Sequence, residues 1–326
     1  MAEVSVIIPT FNRKALLLQT LKNIMNQTSL PDEVIVVDDH STDGTEAAVR
    51  EAFGSRIIFV KNFARGPGAA RNSGLKNAQG RYIKFFDSDD LMTANTIQVQ
   101  YDLLQNSDRQ FVYSPYFRAR QDGAGRWMPL EHIIMHYYPF HKTLPLWDFM
   151  IKEGLFIAIP GMLFRRELLE KTGPWKEDAT AYEDWDYLFR ISILEPHPLH
   201  TNACAFVYRI HGTQTTMRNF SDEQRDLDKN KVLEHLDNLI SQDNRFSAGT
   251  KAFFRNKFYQ LYRETPSVLL KDKLKKYDTL LQRFLWEYLR LKLKIGRIKT
   301  KTMWQPAHGP FVSEQVVKNY LNHIKV

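Results

Sequence analysis

Residues 33–44 read EVIVVDDHSTDG and join an apolar run to a turn rich in carboxylates. The apolar part of this stretch shows no polar alternation, which predicts a strand buried on both faces of a sheet. Comparable runs occur at Val4–Ile8, Ile57–Val60 and Tyr82–Phe86. Segments with helical spacing separate them, so this part of the chain predicts a parallel sheet with helices on both faces.

Cap residues mark where the helices between these strands should begin. Asn12 is the expected N-cap of the first helix. Asp43 and Glu46 have the spacing of a capping box, which predicts a helix over Asp43–Phe53. A third helix is predicted over Gly68–Ala78.

The pattern after residue 110 becomes mixed. Strands are predicted at Phe111–Tyr116 and Ala205–Ile210, and helices at Trp147–Lys152 and Asp184–Leu194. From about Ser221 the spacing of apolar residues is helical.

Near the end of the chain, residues 271–301 contain 11 Lys and Arg residues against three acidic ones. Apolar side chains such as Trp286 and Leu289 are interleaved with these cations. Such a segment suits an anionic membrane surface, but it equally suits packing on the rest of the chain or on a second subunit.

Composition narrows the class of protein only a little. The chain has 326 residues and a net charge of +8, which favours acidic or phosphorylated partners or a solvated basic surface. The single cysteine, Cys204, excludes an intramolecular disulfide. The N-terminus lacks the pattern of a signal peptide, and the longest apolar stretch, Leu155–Phe164, is too short to span a bilayer. We therefore expect a soluble or peripheral protein.

Two acidic clusters follow two of the predicted strands. One is Asp38-Asp39, and the other is Asp87-Ser88-Asp89-Asp90. The carboxyl ends of parallel strands share one edge of a sheet, so both clusters should face one crevice. Several carboxylates at close range repel one another unless a cation compensates them, and hard ions such as Mg²⁺ or Mn²⁺ suit this spacing.

Two further segments each leave a structural alternative open. Gly66–Gly74 places small residues and Arg71 where they can approach a phosphate or ribose, or can simply allow close packing of helix on sheet. Tyr182–Tyr187 contains Glu183-Asp184, which can serve as a general base beside an aromatic ring or as negative charge at a helix N-terminus. The spacing alone does not decide either case.

Five segments together carry a resemblance, and they occur in this order: VSVIIPTFN (4–12), VVDDHSTDGT (36–45), GAARNSG (68–74), FFDSDD (85–90) and YEDWDYLFR (182–190). The set resembles the family 2 inverting glycosyltransferases of the GT-A fold over residues 1–215. The resemblance implies an α/β, Rossmann-like, mostly parallel sheet flanked by helices, with a helical C-terminal extension. A catalytic domain is then expected at 1–220, with a nucleotide-binding half at 1–110 and an acceptor-binding half at 111–220. A helical basic region is expected at 221–326.

The resemblance also implies roles on the nucleotide side of the site. The residues that would line the nucleobase pocket are Pro9, Thr10 and Phe11. Asp38 would accept a hydrogen bond from the base, with Asp39 as a neighbouring orienter. Arg71 would support the nucleotide and Asp89 would contact the ribose.

The remaining implied roles concern the metal and the chemistry. Asp90 would bind a divalent cation, Mn²⁺ or Mg²⁺, and Asp87 would complete the acidic loop. Asp184 would be the general base. His211 matches a position that often helps to hold the metal–diphosphate, although a lone histidine is as often structural.

The implied reaction is the inverting transfer of one sugar from a nucleoside-diphosphate sugar, UDP by family tendency, to a saccharide or lipid-linked saccharide. The chain lacks the Gln-x-x-Arg-Trp motif and the membrane spans of processive synthases, which favours single transfer. His40 stands where the family commonly has Gly. The expected location is cytoplasmic, with peripheral contact at the inner face of the membrane.

Three other classes compete with this interpretation. A nucleotidyltransferase would need a basic Gly-rich loop after the first strand, where Pro9-Thr10-Phe11 stands instead. A non-catalytic nucleotide-sugar-binding module would not need both Asp87–Asp90 and Glu183-Asp184. A nucleic-acid-binding protein would explain the charge, but no recognisable motif of that class occurs, so no nucleic-acid partner is expected.

Overall fold

The computed structural model describes residues 3–123, 127–129, 145–147, 150, 157–179, 181–201, 203–212, 221–252 and 254–255. They fall in two compact units that divide between residues 215 and 216. Among the helices that the structure describes, none is both long and apolar enough to cross a bilayer. The basic segment 271–301 and most of the predicted helix Trp147–Lys152 lie outside the described residues.

Strands of the first unit form a main sheet and a smaller one. The main sheet contains β1 (Val4–Thr10), β2 (Glu33–Asp38), β3 (Ile58–Lys61), β4 (Tyr82–Phe85), β6 (Phe111–Tyr113), β9 (Met162–Arg165) and β10 (Leu199–His200). The smaller sheet contains β5 (Leu91–Met92), β7 (Tyr116–Gln121), β8 (Trp127–Pro129) and β11 (Phe206–Ile210).

The order of strands in the main sheet is β10-β6-β9-β4-β1-β2-β3. β1 is parallel to β2 and to β4, and β2 is parallel to β3, as the apolar runs predict. β9 is antiparallel to both of its neighbours. The carboxyl ends of β1 to β4 therefore share one edge, and β1 separates the loops after β2 and β4 by about 10 Å, or two strand spacings.

Helices of the first unit are α1 (Lys14–Ile24), α2 (Thr45–Phe53), α3 (Pro67–Asn77), α4 (Thr96–Gln105), α5 (Arg166–Thr172) and α6 (Glu183–Leu194). The apolar faces of α1, α2 and α4 pack with strands of both sheets in one buried core. The second unit contains α7 (Asp222–Gln242), whose N-cap Ser221 accepts a hydrogen bond from the backbone N–H of Gln224. The fold is thus a mixed α/β architecture with a mostly parallel sheet flanked by helices, as predicted.

Both helix starts predicted from cap residues are wrong. Asn12 has a positive φ of 47° and its side chain accepts from the backbone N–H of Thr42, so it does not cap α1. Asp43 does not form a capping box on α2, which begins at Thr45. One oxygen of its carboxylate accepts from the backbone N–H of Thr45 at 3.2 Å, and the other accepts from the backbone N–H of Lys14, in the first turn of α1, at 2.9 Å. Asp43 therefore links the starts of both helices, because the loops after β1 and β2 lie side by side.

The predicted strand Phe111–Tyr116 is divided between the two sheets. β6 ends at Tyr113, and the backbone N–H of Ser114 donates to Gly161. β7 begins at Tyr116 and pairs with β11. Pro115 lies at the crossing point between the two sheets. Proline has no backbone N–H, so inside either strand it would cost a strand-pairing hydrogen bond, which is not needed at the crossing.

Helix α3 packs closely against its neighbours at two glycines, Gly74 against the sheet and Gly68 against the segment after α5. A Cβ atom on Gly74 would lie 2.2 Å from Cγ2 of Ile7, and one on Gly68 would lie 2.5 Å from the carbonyl oxygen of Lys176. Close packing therefore accounts for these two glycines, while Arg71 between them reaches the acidic residues described next.

Candidate active site at the carboxyl edge of the main sheet

The end of β1 and the residue after it place Pro9, Thr10 and Phe11 at the edge of the sheet. Pro9 and Thr10 are the last residues of β1, and the carbonyl of Thr10 accepts from the backbone N–H of Asp39 at 2.8 Å. The ring of Phe11 is 44% exposed. This leaves an accessible aromatic face beside the loop that follows β2.

Carboxylates at the end of β2 organise two neighbouring loops. Both oxygens of the buried Asp38 lie 3.3 Å from the backbone N–H of Ser41. Asp39 accepts from the side-chain amide of Asn62 and from the backbone N–H of Gly66, each at 2.9 Å. Asp39 therefore fixes the loop that leads from β3 into α3.

The loop after β4 brings three carboxylates together. Single oxygen atoms of Asp87, Asp89 and Asp90 all lie within 4.8 Å of one another. Asp90 is fully buried, and its Oδ1 accepts from the backbone N–H of Arg209 at 3.0 Å. Its Oδ2 has no hydrogen-bond partner among the described residues. A divalent cation with carboxylate ligands fits this set, because it would satisfy that oxygen and offset the mutual repulsion.

Two basic side chains converge on Asp89. Nη1 of Arg13 lies 2.5 Å, and Nε2 of His211 lies 3.0 Å, from Oδ2 of Asp89. Burial raises the pKa of Asp89, but the hydrogen bond to His211 and the charge of Arg13 outweigh it and leave that pKa below its ordinary value. Asp89 is therefore held as a carboxylate, and His211 joins the acidic loop through it.

The other two carboxyl groups of the loop, those of Asp90 and Asp87, have raised pKa values. Burial raises the pKa of Asp90 well above its ordinary value, and the charges of Asp89 and Asp87 add to the effect. Burial also raises the pKa of Asp87, although the charge of Arg71 opposes the change. A site that raises carboxylate pKa values in this way favours a bound cation over an empty, fully ionised state.

Arg71 links the acidic loop to the start of α6. Its Nη2 donates to Asp87 at 3.3 Å, and its Nη1 donates to Glu183 at 3.0 Å. The Arg71 side chain is 8% exposed and that of Glu183 is 10% exposed, so water screens this pair only weakly. The linkage joins two segments that lie about one hundred residues apart in the sequence.

The start of α6 presents two carboxyl groups, of which that of Glu183 is buried and that of Asp184 is partly exposed. Tyr182, with a φ of 64°, precedes the helix, and Asp184 Oδ1 accepts from the backbone N–H of Trp185 at 2.8 Å. Burial raises the pKa of Asp184, with the charge of Arg71 opposing it. Burial and the charge of Asp184 raise the pKa of Glu183 to about 7. Asp184 thus lies close enough to Arg71 and Asp87 for their charges to act on it.

The predicted site residues therefore form two groups on one edge. Asp38 and Asp39 are bonded within their own loops, and in the described part of the chain no hydrogen bond joins them to Asp87, Asp89 or Asp90. The second group runs from His211 and the acidic loop to Asp184.

Sequence reasoning missed two residues that hold this second group together. Arg13, directly before α1, and Arg209 in β11 both reach the acidic loop. The signal for Arg13 was its position directly after the TFN segment, and that for Arg209 was its place two residues before His211. Neither signal reveals a partner without the fold.

Together these features define an α/β protein of the Rossmann-like class with a cluster of carboxylates at the carboxyl edge of its sheet. The family model described as Glycosyl transferase family 2 matches residues 5–173. The chain belongs to glycosyl transferase family 2.

Known proteins similar to this chain include two Escherichia coli enzymes, WfgD and WfaP, each described as a UDP-Glc:alpha-D-GlcNAc-diphosphoundecaprenol beta-1,3-glucosyltransferase. WfgD is 37% identical over 230 residues, which cover 69% of this chain and 84% of WfgD. WfaP is 39% identical over 222 residues, which cover 67% of this chain and 82% of WfaP.

Among solved structures, the mannosyltransferase PcManGT from Pyrobaculum calidifontis, in complex with GDP-Man and Mn²⁺, is similar in fold. The match has a TM-score of 0.55 and 19% sequence identity, and it covers 99% of this chain and 85% of that one. The predicted GT-A fold is confirmed.

Proposed function

We propose that this protein transfers a single sugar from a UDP-sugar to the hydroxyl group of a saccharide acceptor, with inversion at the anomeric carbon. The observation that carries the proposal is the line of contacts from Asp87 through Arg71 to Glu183. It supports a single pocket with a diphosphate site at one end and a proton acceptor at the other.

The donor end of the pocket would be formed by the loops after β1, β2 and β4. Pro9, Thr10 and Phe11 would line the nucleobase site, where the exposed ring of Phe11 can stack on a base. Asp38 and Asp39 would orient the base, and Asp89 the ribose. The names of the two Escherichia coli relatives, which specify UDP-Glc, support UDP as the nucleotide.

Asp90 would hold Mn²⁺ or Mg²⁺, with Asp87 completing the acidic loop and His211 supporting the ion's site through Asp89. When bound, the ion would act as a Lewis acid that offsets the negative charge developing on the leaving diphosphate. The unpartnered Oδ2 of Asp90 supports this assignment. The complex of the Pyrobaculum calidifontis mannosyltransferase with GDP-Man and Mn²⁺ supports it as well.

At the acceptor end, Asp184 would remove the proton from the attacking hydroxyl group. Its raised pKa, caused mainly by burial, makes it a stronger base than an exposed aspartate. Arg71 would moderate that effect and keep the group ionised. The attack comes from the side opposite the diphosphate, so the anomeric configuration inverts.

The acceptor is proposed to be a lipid-linked saccharide in the synthesis of a cell-surface polysaccharide, because both Escherichia coli relatives are named for a diphosphoundecaprenol-linked acceptor. Such a reaction would take place at the cytoplasmic face of the membrane. Contact of residues 271–301 with lipid, or with a second subunit, remains part of this proposal.

The test is a transfer assay with UDP-Glc, UDP-GlcNAc, UDP-Gal and GDP-Man, with Mn²⁺ and a short polyprenyl-diphosphate-GlcNAc as acceptor, read by mass spectrometry. We expect transfer from a UDP-sugar that stops with EDTA and resumes with added Mn²⁺. Release of pyrophosphate from a nucleoside triphosphate and a sugar phosphate would identify a nucleotidyltransferase instead. Stabilisation by Mn²⁺ and UDP without any transfer would favour a binding module.

A further inference from the structure

Arg71 is the first layer of a stack of four side chains behind the acidic loop. Its Cζ lies 4.6 Å from the ring centroid of Trp175. The rings of Trp175 and Tyr187 are stacked with centroids 3.8 Å apart and planes 13° apart. Cζ of Arg190 lies 5.0 Å from the ring centroid of Tyr187. Each of the two stacked rings thus has a guanidinium group over it, an arrangement favoured by cation–π attraction.

The Trp175 layer is held in register with α3 and β4. The side-chain amide of Asn72, next to Arg71, donates to the backbone carbonyl of Trp175 at 3.0 Å. The backbone N–H of Trp175 donates to the side-chain oxygen of Asn72 at 2.8 Å. Phe85 of β4 lies edge-on to both Trp175 and Tyr187, with centroid distances of 5.1 and 6.2 Å. The indole therefore has little freedom to tilt.

The outer layer is equally fixed. Arg190 donates to Asp186 at 2.9 Å and to the carbonyls of Thr172 and Pro174 at 2.7 and 2.9 Å. Trp175, Tyr187 and Asp186 are all at most 1% exposed. These side chains are enclosed by protein, so any effect they have on catalysis must pass through a neighbour.

Arg71 is that neighbour. Its face is covered by the indole, so its N–H groups point along the guanidinium plane, where they meet Asp87 and Glu183. Tyr187 lies one helical turn after Glu183, so the stack and the ion pair hold α6 at two points on the same side. The orientation of the Arg71 plane thus sets how α6 sits against the acidic loop.

We propose that Trp175 and Tyr187 are positioning residues of the transfer reaction, which act by holding Arg71 between the acidic loop and the start of α6. The inference rests on the proposed function, in which the donor binds at that loop and Asp184 removes the proton. A displacement of about 1 Å between reacting groups can cost on the order of 10²-fold in rate. Loss of the stack should therefore slow the chemical step more than it weakens donor binding.

The test compares Trp175→Leu with Trp175→Phe in the full chain, with Tyr82→Leu as a matched control. Tyr82 is a buried ring with Cζ of Arg165 at 5.3 Å, but it begins β4 at the end away from the site. We expect Trp175→Leu to lower kcat at least tenfold, with donor KM and the Mn²⁺-dependent affinity for UDP within threefold of the parent. Trp175→Phe should keep kcat within threefold, and Tyr82→Leu should lower Tm without lowering kcat.

If Trp175→Leu does not fold, Tyr187→Leu and Tyr187→Phe provide the same comparison in the second aromatic layer. A kcat for the leucine variant within twofold of the parent overturns the positioning role, as does an equal loss in the leucine and phenylalanine variants. An equal loss in Tyr82→Leu would assign the effect to general destabilisation and would also overturn it. Failure of the parent protein to transfer sugar contradicts the proposed function itself, a distinguishable outcome.

Discussion

The backbone N–H of Arg209 donates to Oδ1 of Asp90 at 3.0 Å, although 119 residues separate the two. The contact forms because β11, which carries Arg209, pairs with β5 directly after the acidic loop. The Arg209 guanidinium also donates to the carbonyl of Asp89 and to the hydroxyl of Thr20 in α1. Asp90 is thus fixed through one oxygen while the other remains available for a ligand.

Replacement of Asp90 by Asn should separate metal binding from folding stability. The amide keeps an acceptor for the Arg209 N–H but removes one of three charges that lie within 4.8 Å of each other. We expect the metal-free protein to gain about 1 kcal/mol of stability, because like charges at this range repel. The apparent affinity for UDP in the presence of Mn²⁺ should fall at least tenfold. Thermal melts with and without Mn²⁺ and UDP measure both effects.

Asp108→Asn is the control for that experiment, because its side chain is 95% exposed. It should leave both the melting temperature and the response to Mn²⁺ unchanged. Retention of the parent response to Mn²⁺ and UDP in Asp90→Asn would show that Asp90 does not bind the ion.

Replacement of Asp184 by Asn should remove the general base while leaving the donor site intact. The carbonyl oxygen of Asn can still accept from the N–H of Trp185, so the helix start should be preserved. We expect kcat to fall about 10²- to 10⁴-fold, with UDP affinity in the presence of Mn²⁺ unchanged by calorimetry. Transfer at the parent rate would rule out this role for Asp184.

Replacement of Gly74 by Ala tests the contact between α3 and the sheet. The new Cβ would lie 2.2 Å from Cγ2 of Ile7 and 3.2 Å from Cγ2 of Val37. Overpacking of this kind typically costs about 1–3 kcal/mol in the free energy of unfolding, measurable by urea titration. Gly123→Ala, which meets no atom within 4 Å, should have almost no effect. Equal stabilities of the two variants would contradict the packing argument.

Lys84 should make stability depend on pH. Burial lowers its pKa from 10.5 to about 7, while its ammonium group donates to Gln100 and to the carbonyls of Pro160 and Met162. Between about pH 7 and pH 9 the unfolded chain therefore binds a proton that the folded chain has lost, so stability rises with pH. The expected slope from this group is about 1.4 kcal/mol per pH unit.

Urea unfolding at pH 7, 8 and 9 measures this slope, and Lys84→Met provides the reference without the amine. The difference in unfolding free energy between parent and variant should change across this window in favour of the parent. A constant difference would mean that Lys84 stays charged in the folded protein.

Local patterns predicted the framework of the fold. The apolar runs at β1 to β4 gave parallel strands because unalternated β-branched residues need cover on both faces. The position of Asp87–Asp90 after one of these strands placed it at the ligand-binding edge, again from local order alone. The roles of the individual site residues, and the boundary proposed at residue 220, stay predictions.

Cap assignments failed where a partner outside the segment competed for the same group. Asp43 divides its carboxylate between the first turn of α1 and the first residue of α2, and Asn12 binds the loop after β2. The sequence around each residue contains no sign of the other, since the two loops meet only through the pairing of β1 with β2.

By itself, the sequence determined the alternation of strands and helices from β1 to β4 and the presence of carboxylates at the ends of β2 and β4, because both depend on neighbouring residues. Only the tertiary structure decided which basic groups meet those carboxylates. The guanidinium groups of Arg13 and Arg71 meet Asp89 and Asp87, and the backbone N–H of Arg209 meets Asp90, each from a different part of the chain. The reason is physical: strand order and sheet pairing set these distances, and the residues next to an arginine in the sequence do not indicate which distant residue it will contact.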